Sequence, residues 1–299
     1  MAHVTHGNFP GRRLVVFGAG YVGGAVARQG VAAGMRVTAV TRNPAKAAAL
    51  RKDGIETIEA DLAGTDWPAR VPAGADFVLN SVSSGGGGLA GYQHSYVDGT
   101  QAVMAWAGQG RVGTLVYTGS TSVYPQDGGV RVDETAPLAP ATERAALLLQ
   151  AEALVQGAQS TLERWFILRL AGIYGPGRHH IWDQLRANEA LAGTGEHRLN
   201  LIHLDDICAA IWACFGAPPA VVNEIYNVAD DQAGTKAELA EWLAARLGLP
   251  PPRFDLQAVS GRRGRMPDRV VLNAKLKQAL GWQPAFPSFR EGYENLLSR

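Results

Sequence analysis

The sequence predicts an α/β protein: a parallel sheet wound by helices on both faces, followed by a smaller lobe. Three observations carry this. Short apolar runs alternate with Ala-rich or amphipathic stretches through residues 1–175, the pattern of successive βαβ units. The first apolar run ends in a glycine-rich turn. After Gly175-Pro176-Gly177 the alternation gives way to tryptophan, histidine and turn residues.

Residues 13–17 read as the first strand and 21–34 as an Ala-rich helix with Gly34 as its C-cap. A second strand is predicted at 37–41. The helix at 44–53 opens on Pro44, a favoured first position. Further strands are predicted at 56–60, 76–81, 114–118 and 165–170, and helices at 92–110 and 142–160. In the second part, 199–203 reads as a strand. Residues 236–247 form an amphipathic helix stopped by Gly248 and three prolines, and 289–297 a last helix. The expected division is a first domain at 1–175 and a small α/β lobe at 176–299, with the stretch near 200–230 returning to the first domain.

Of the 299 residues, 46% are hydrophobic and 18% charged, an ordinary globular balance. The net charge of +1 gives no bulk attraction to nucleic acid or anionic membrane. The longest uncharged stretch, 77–97, is interrupted by Ser83-Ser84-Gly85-Gly86-Gly87-Gly88, so no membrane span is predicted. The first residues lack the apolar core of a secretory signal. Cys208 and Cys214 lie six apart in an apolar segment, which suits neither a redox pair nor metal ligands. They read as core thiols of a cytoplasmic protein, and no metal site is predicted.

Gly18-Ala19-Gly20-Tyr21-Val22-Gly23 is a G-x-G-x-x-G between a predicted strand and a predicted helix. In that context it reads as a dinucleotide site on a Rossmann fold. Gly18 permits the turn, Gly20 lets backbone approach a pyrophosphate, and Gly23 allows close helix–sheet packing; the first N–H groups of the helix, at Tyr21 and Val22, face the anion. An NAD site usually has a carboxylate at the end of the second strand. This chain has Thr41-Arg42-Asn43 there. Arg42 offers a planar donor fork to a 2′-phosphate, so NADP(H) is favoured over NAD(H); a plain surface arginine is the alternative. Asp61 after the third strand and Ser81 after the fourth complete the expected cofactor set, at the carboxyl edge where such sheets bind ligands. The loop 83–88 is open to two readings, a flexible lid or a solvated glycine loop.

Further motifs carry a family resemblance over nearly the whole chain. Thr118-Gly119-Ser120-Thr121-Ser122-Val123-Tyr124, Asp133-Glu134-Thr135-Ala136-Pro137-Leu138, Arg169-Leu170-Ala171-Gly172-Ile173-Tyr174-Gly175-Pro176-Gly177-Arg178, Ile202-His203-Leu204-Asp205-Asp206 and Leu280-Gly281-Trp282-Gln283-Pro284 resemble segments of extended short-chain dehydrogenases. So does Tyr96-Val97-Asp98-Gly99-Thr100, with Asp98 in place of the usual Asn. The chain is thus similar to epimerase/dehydratase-like members of that superfamily. That resemblance implies a Rossmann domain, a nicotinamide cofactor and a small-molecule substrate, with an oligomer possible.

The departure is catalytic. The family uses Ser with Tyr-x-x-x-Lys, in which the lysine cation lowers the tyrosine pKa. None of the eight tyrosines here has Lys four residues on, and no lysine occurs between Lys52 and Lys236. Aligned from the serine motif, the Tyr and Lys positions fall on Arg144 and Leu148. Arginine is a poor proton shuttle and leucine none at all. In these respects the chain resembles atypical members that keep the cofactor loop and lose the pair. Candidate replacements are Ser120, at the position of the family's substrate-polarising serine, with Tyr124 and Arg144. A simple strand-end hydroxyl is the alternative for Ser120. His94, His179 and His180 titrate near neutral pH, although surface or structural roles suit them better. Arg178, His203 and Arg265 are basic groups of the small lobe. By resemblance they would grip an anionic carbonyl compound, a nucleotide-sugar among the possibilities; a solvated basic loop is the plainer account. Two functions follow: an oxidoreductase, epimerase or dehydratase with altered acid/base groups, or a non-catalytic NADP-binding sensor or scaffold.

Overall fold

The computed structural model describes residues 9–158, 161–258 and 267–298. In its first half β1 (Arg13–Phe17), α1 (Tyr21–Ala32), β2 (Arg36–Thr41), α2 (Pro44–Lys52), β3 (Glu56–Glu59) and β4 (Ala75–Asn80) follow one another. Then come α3 (Gly88–Tyr92), α4 (Gly99–Ala107), β5 (Val112–Ser120), β6 (Val130–Val132), α5 (Glu143–Gly157) and β7 (Leu162–Leu170). The remainder comprises β8 (Gly172–Tyr174), α6 (His180–Arg186), β9 (Leu191–Ala192), β10 (Leu201–His203), α7 (Leu204–Phe215), β11 (Glu224–Val228), α8 (Lys236–Leu247), β12 (Phe254–Asp255), β13 (Arg269–Val271), α9 (Ala274–Leu280) and α10 (Phe289–Leu297).

Seven strands make one sheet in the order β11-β7-β5-β4-β1-β2-β3, every neighbouring pair parallel. Parallel strands covered on both faces read as apolar runs, and β1 shows why. Leu14 and Val16 point into one helical layer, while Val15 and Phe17 point into the other. Phe17 sits edge-on between Trp67 and Trp106, with ring centroids at 5.1 and 5.0 Å. The chain runs outward from β1 to β3, then restarts at β4 on the other side of β1. That reversal opens a crevice at the carboxyl ends of β1 and β4.

The helix expected over 92–110 is interrupted. Residues Gln93–Asp98 form a wider π-helical turn between α3 and α4. The Gln93 amide donates to the Asp98 carboxylate across that turn, at 2.7 Å. Such bulges often lie at functional sites. The C-cap reading holds: Gly34 has φ +77° and Met35 N–H returns to Gly30 C=O at 3.0 Å.

Beyond Tyr174 the chain visits the small lobe and comes back. β11 is the outermost strand of the large sheet, beside β7. α7 packs on the sheet, and its Trp212 indole donates to the Gln29 amide of α1 at 2.7 Å. The strand expected at 199–203 is three residues long and pairs with β8 outside the large sheet. A separate apolar cluster of α6, α8 and α10, built on Trp182, Leu239, Leu243, Phe289 and Tyr293, forms the small lobe. Capping boxes at Thr235/Glu238 and Ser288/Glu291 start α8 and α10. Cys208 and Cys214 are buried free thiols, and burial pushes Cys208 up to about 12. No described helix is long and apolar enough to cross a membrane.

Candidate active site

The glycine turn leaves β1 at Phe17. Gly18 has φ +81°, and a Cβ there would lie 2.6 Å from the Val82 nitrogen, so only glycine fits between the first turn and the loop after β4. A Cβ on Gly23 would lie 2.5 Å from the Gly18 oxygen, which fixes how closely α1 crosses the turn. Gly20 differs. A Cβ there would meet nothing nearer than the Gly18 oxygen at 3.8 Å. Contact with the rest of the protein therefore does not demand glycine at Gly20, and the space beside it is open to a ligand. Gly20 caps α1 without a side-chain hydrogen bond, leaving the first N–H groups for an anion. Tyr21 begins the helix and Val22 turns its side chain into the core, so Val22 has only backbone to offer. This cradle fits a dinucleotide pyrophosphate.

At the far end of the crevice Thr41 is buried, its hydroxyl accepting from Asn43 N–H at 3.3 Å. Arg42 is exposed and donates to the Ser84 carbonyl at 2.7 Å, tying the end of β2 to the glycine loop. Asp61 accepts from His94 at 2.8 Å and from Ala63 N–H at 3.1 Å. Burial opposes ionisation of Asp61, yet the His94 bond, the Ala63 N–H and the Arg42 charge together hold it below the ordinary carboxylate range. The Asp61–His94 pair was not foreseen: the two are 33 residues apart, and the π-helical turn carries His94 to Asp61.

In the middle of the edge, Ser81 N–H donates to Phe17 C=O at 2.8 Å, and the Thr118 hydroxyl donates to the Ser81 hydroxyl at 3.3 Å. Ser120 ends β5, partly exposed. Its hydroxyl accepts from Ser122 N–H at 3.2 Å and lies 2.9 Å from the Ser122 hydroxyl. Arg144, in the first turn of α5, lays its guanidinium over the Tyr92 ring, 5.5 Å from the centroid. Leu148, one turn on, is 3% exposed and belongs to the core.

Two expected site residues need correction. Tyr124 is 1% exposed, its hydroxyl donating to Asn227 at 2.8 Å and accepting from Arg169 at 2.9 Å. Burial outweighs the Arg169 charge and raises its pKa, the reverse of what an acid/base phenol needs. His203 is 0% exposed and serves as the N-cap of α7, accepting from Asp205 N–H at 3.2 Å. Neither side chain has surface with which to touch a substrate. Arg265 lies outside the described residues. Arg178 is exposed, its guanidinium 5.5 Å from the Tyr21 ring centroid. His179 pairs with Asp183 at 2.9 Å on α6, and His180 is exposed.

Beneath the site lies a buried ion pair. Arg169 donates to both Glu152 oxygens, at 3.0 and 2.7 Å. The one sequence signal was a charged residue inside the apolar run Trp165-Phe166-Ile167-Leu168-Arg169-Leu170. Asn227, the next partner, donates its own N–H to Glu134 at 2.6 Å. A hydrogen-bonded chain thus runs from α5 through β7 and β11 to the loop after β6.

The sheet order and the glycine cradle define a dinucleotide-binding protein of the extended short-chain dehydrogenase type. The chain belongs to the NAD dependent epimerase/dehydratase family, whose sequence model matches residues 14–229. Membership makes a nicotinamide dinucleotide its cofactor class. Protein YeeZ of Escherichia coli (strain K12) is 28% identical over 282 residues, covering 92% of this chain and 97% of that protein. A 2-alkyl-3-oxoalkanoate reductase of Stenotrophomonas maltophilia (strain K279a) is 28% identical over 254 residues, covering 79% and 76%. Among solved structures, a functionally unknown conserved protein from Silicibacter pomeroyi DSS shares 28% identity at a TM-score of 0.77, covering 96% and 98%. MoeE5 in complex with UDP-glucose and NAD superimposes at a TM-score of 0.82 with 21% identity, covering 96% and 97%, a likeness of fold.

Proposed function

We propose that the protein is an NADP(H)-dependent reductase of a small carbonyl compound bearing an anionic or sugar-like group, working without a Tyr-x-x-x-Lys pair. The observation that carries this reading is the partly exposed Ser120 hydroxyl at the carboxyl end of β5. It stands on the same sheet edge as the glycine cradle, and β5 packs against α5, the helix whose first turn bears Arg144. The bound dinucleotide supplies the hydride. Ser120 donates to the substrate carbonyl, and Arg144 adds positive charge near the developing alkoxide. The proton comes through Ser120 from solvent, since arginine does not give one up. Tyr124 holds Arg169 and moves no proton.

The cofactor preference rests on Arg42 and on the absence of a carboxylate in Thr41-Arg42-Asn43. Arg42 would exchange the Ser84 carbonyl for a 2′-phosphate. For a nucleotide-sugar substrate, the support is the UDP-glucose held by a protein of the same fold. Against it, two cations of the small lobe are already committed: Arg198 pairs with Asp268 at 2.8 Å, and Lys236 donates to Ala192 C=O at 2.8 Å. A smaller anionic carbonyl compound fits better.

One observation favours the non-catalytic reading: the position aligned with the family's lysine is Leu148, deep in the core. A single experiment separates the two. Purified protein is titrated with NADPH and NADH, then followed for NADPH oxidation against 3-oxo acids, other carbonyl compounds and nucleotide-sugars. Turnover that falls about 10²–10⁴-fold in Ser120→Ala supports the reductase. Firm NADPH binding with no turnover across the panel supports the sensor.

A further inference from the structure

The geometry points to Arg178 as a second cation for the pyrophosphate of the dinucleotide, carried by the small lobe's first loop and aimed by Tyr21. The assignment rests on the dinucleotide reading above. It moves Arg178 from the substrate, where its sequence context put it, to the cofactor.

Gly175-Pro176-Gly177-Arg178 is a closed turn. Arg178 N–H donates to Gly175 C=O at 2.9 Å, and Gly175 N–H returns to Arg178 C=O at 3.2 Å. Pro176 and the positive φ of Gly177, +69°, suit the two central positions of a type II turn. This turn is pinned to the cofactor loop. The Tyr21 hydroxyl donates to Pro176 C=O at 3.0 Å. Gly175, at φ +147°, is so close that a Cβ would lie 2.8 Å from that hydroxyl. The Arg178 guanidinium then stacks over the Tyr21 ring. Tyr21 is the first residue of α1 and directly follows Gly20. A guanidinium stacked there stands at the mouth of the cradle, with in-plane N–H groups suited to phosphate oxygens.

The charge balance asks for such a group. A pyrophosphate carries two negative charges, whereas a helix N-terminus supplies about half a positive one. The glycine cradle has no side chain to make up the difference. Arg42 stands at the end of β2 and is held toward Ser84.

The test measures binding, not turnover. NADPH and adenosine 2′-monophosphate, which lacks a pyrophosphate, are titrated into wild type, Arg178→Ala, Tyr21→Leu and the double variant. Arg178→Ala is expected to weaken NADPH about ten- to a hundredfold and to leave adenosine 2′-monophosphate unchanged. Its NADPH affinity is also expected to fall less steeply with salt than that of wild type. Tyr21→Leu is expected to weaken NADPH in the same way, and the double variant to be no weaker than the weaker single one, because the ring acts through the guanidinium. Arg178→Ala removes an exposed side chain and carries the test alone if Tyr21→Leu does not fold. Unchanged NADPH affinity in Arg178→Ala, in a chain that binds NADPH, overturns this assignment and leaves the cofactor reading intact. Equal weakening of both ligands also overturns it. A wild type that binds no dinucleotide overturns the cofactor reading and the clamp together.

Discussion

Arg169 on β7 and Glu152 on α5 meet side by side as a two-point ion pair, each 2% exposed, directly under the turn that presents Ser120. Tyr124 closes the Arg169 side and a Cβ on Gly119 would lie 3.2 Å from Glu152. Breaking such a pair from one side leaves an uncompensated buried charge, which costs far more than the pair itself contributes.

Glu152→Gln and Arg169→Met should therefore each destabilise the fold by roughly 3–5 kcal/mol, and the variant carrying both by less than their sum. Urea denaturation of the four proteins measures this. Tyr124→Phe should cost about 1–3 kcal/mol for the hydrogen bonds lost and leave the pH profile of any activity in place. A tyrosine titration that disappeared from the profile in that variant would return Tyr124 to the chemistry.

The glycines of the cradle should separate fold from function. Gly18→Ala forces a side chain into a left-handed backbone against Val82, and should lower stability by roughly 1–3 kcal/mol. Gly20→Val should leave the melting temperature nearly unchanged and abolish NADPH binding, because a Cβ there meets no protein atom nearer than the Gly18 oxygen at 3.8 Å. Calorimetric titration beside a thermal melt reads both.

Arg42→Asp should weaken NADPH by about ten- to a hundredfold and shift preference toward NADH. The measurement to make first is on the wild type: tighter binding of NADH than of NADPH would remove the reason for the variant.

Asp206 and Asp230 give the stability a pH dependence. Burial is the main cause in both: it lifts Asp206 to about 6 and Asp230 well above the ordinary range, with Asp231, Asp206 and Glu291 adding repulsion at Asp230. Both groups bind protons more tightly folded than unfolded. Their contribution is complete below the ordinary aspartate pKa of about 4 and is lost as pH rises through the folded values. Asp230→Asn should raise the melting temperature at pH 8 and leave it unchanged near pH 3. An equal effect at both pH values would mean that charge at Asp230 is not the cause.

What could be read in advance follows the range of the forces involved. β1, α1 and β2 were legible because glycine, proline and apolar spacing act within a few residues. That no tyrosine has a lysine four residues on is a matter of spacing alone and is read directly along the chain. Tyr124 and His203 were misread because a motif records which residue is present, not whether distant strands cover it; Asn227 and Arg169 bury the one, Tyr174 and Phe286 enclose the other. β11 and α7 went unread as elements. Glu224-Ile225-Tyr226-Asn227-Val228 is too short to show a period, and its partner β7 is about sixty residues away. The π-helical turn falls on His94-Ser95-Tyr96-Val97-Asp98 followed by Gly99, weak helix formers that mark a soft stretch of helix but not a local change in its period.

The late return of β11 has a consequence for synthesis on the ribosome. As the chain emerges, β7 is in place some fifty residues before the strand that covers its outer edge, and α7, which shields one face of the sheet, comes in the same interval. Until then a long apolar edge is open to pairing with another nascent chain. A product cut after residue 175 would keep that edge permanently, so its solubility should collapse even though the glycine cradle is complete. Chaperone capture should be greatest for chains stalled between β7 and β11.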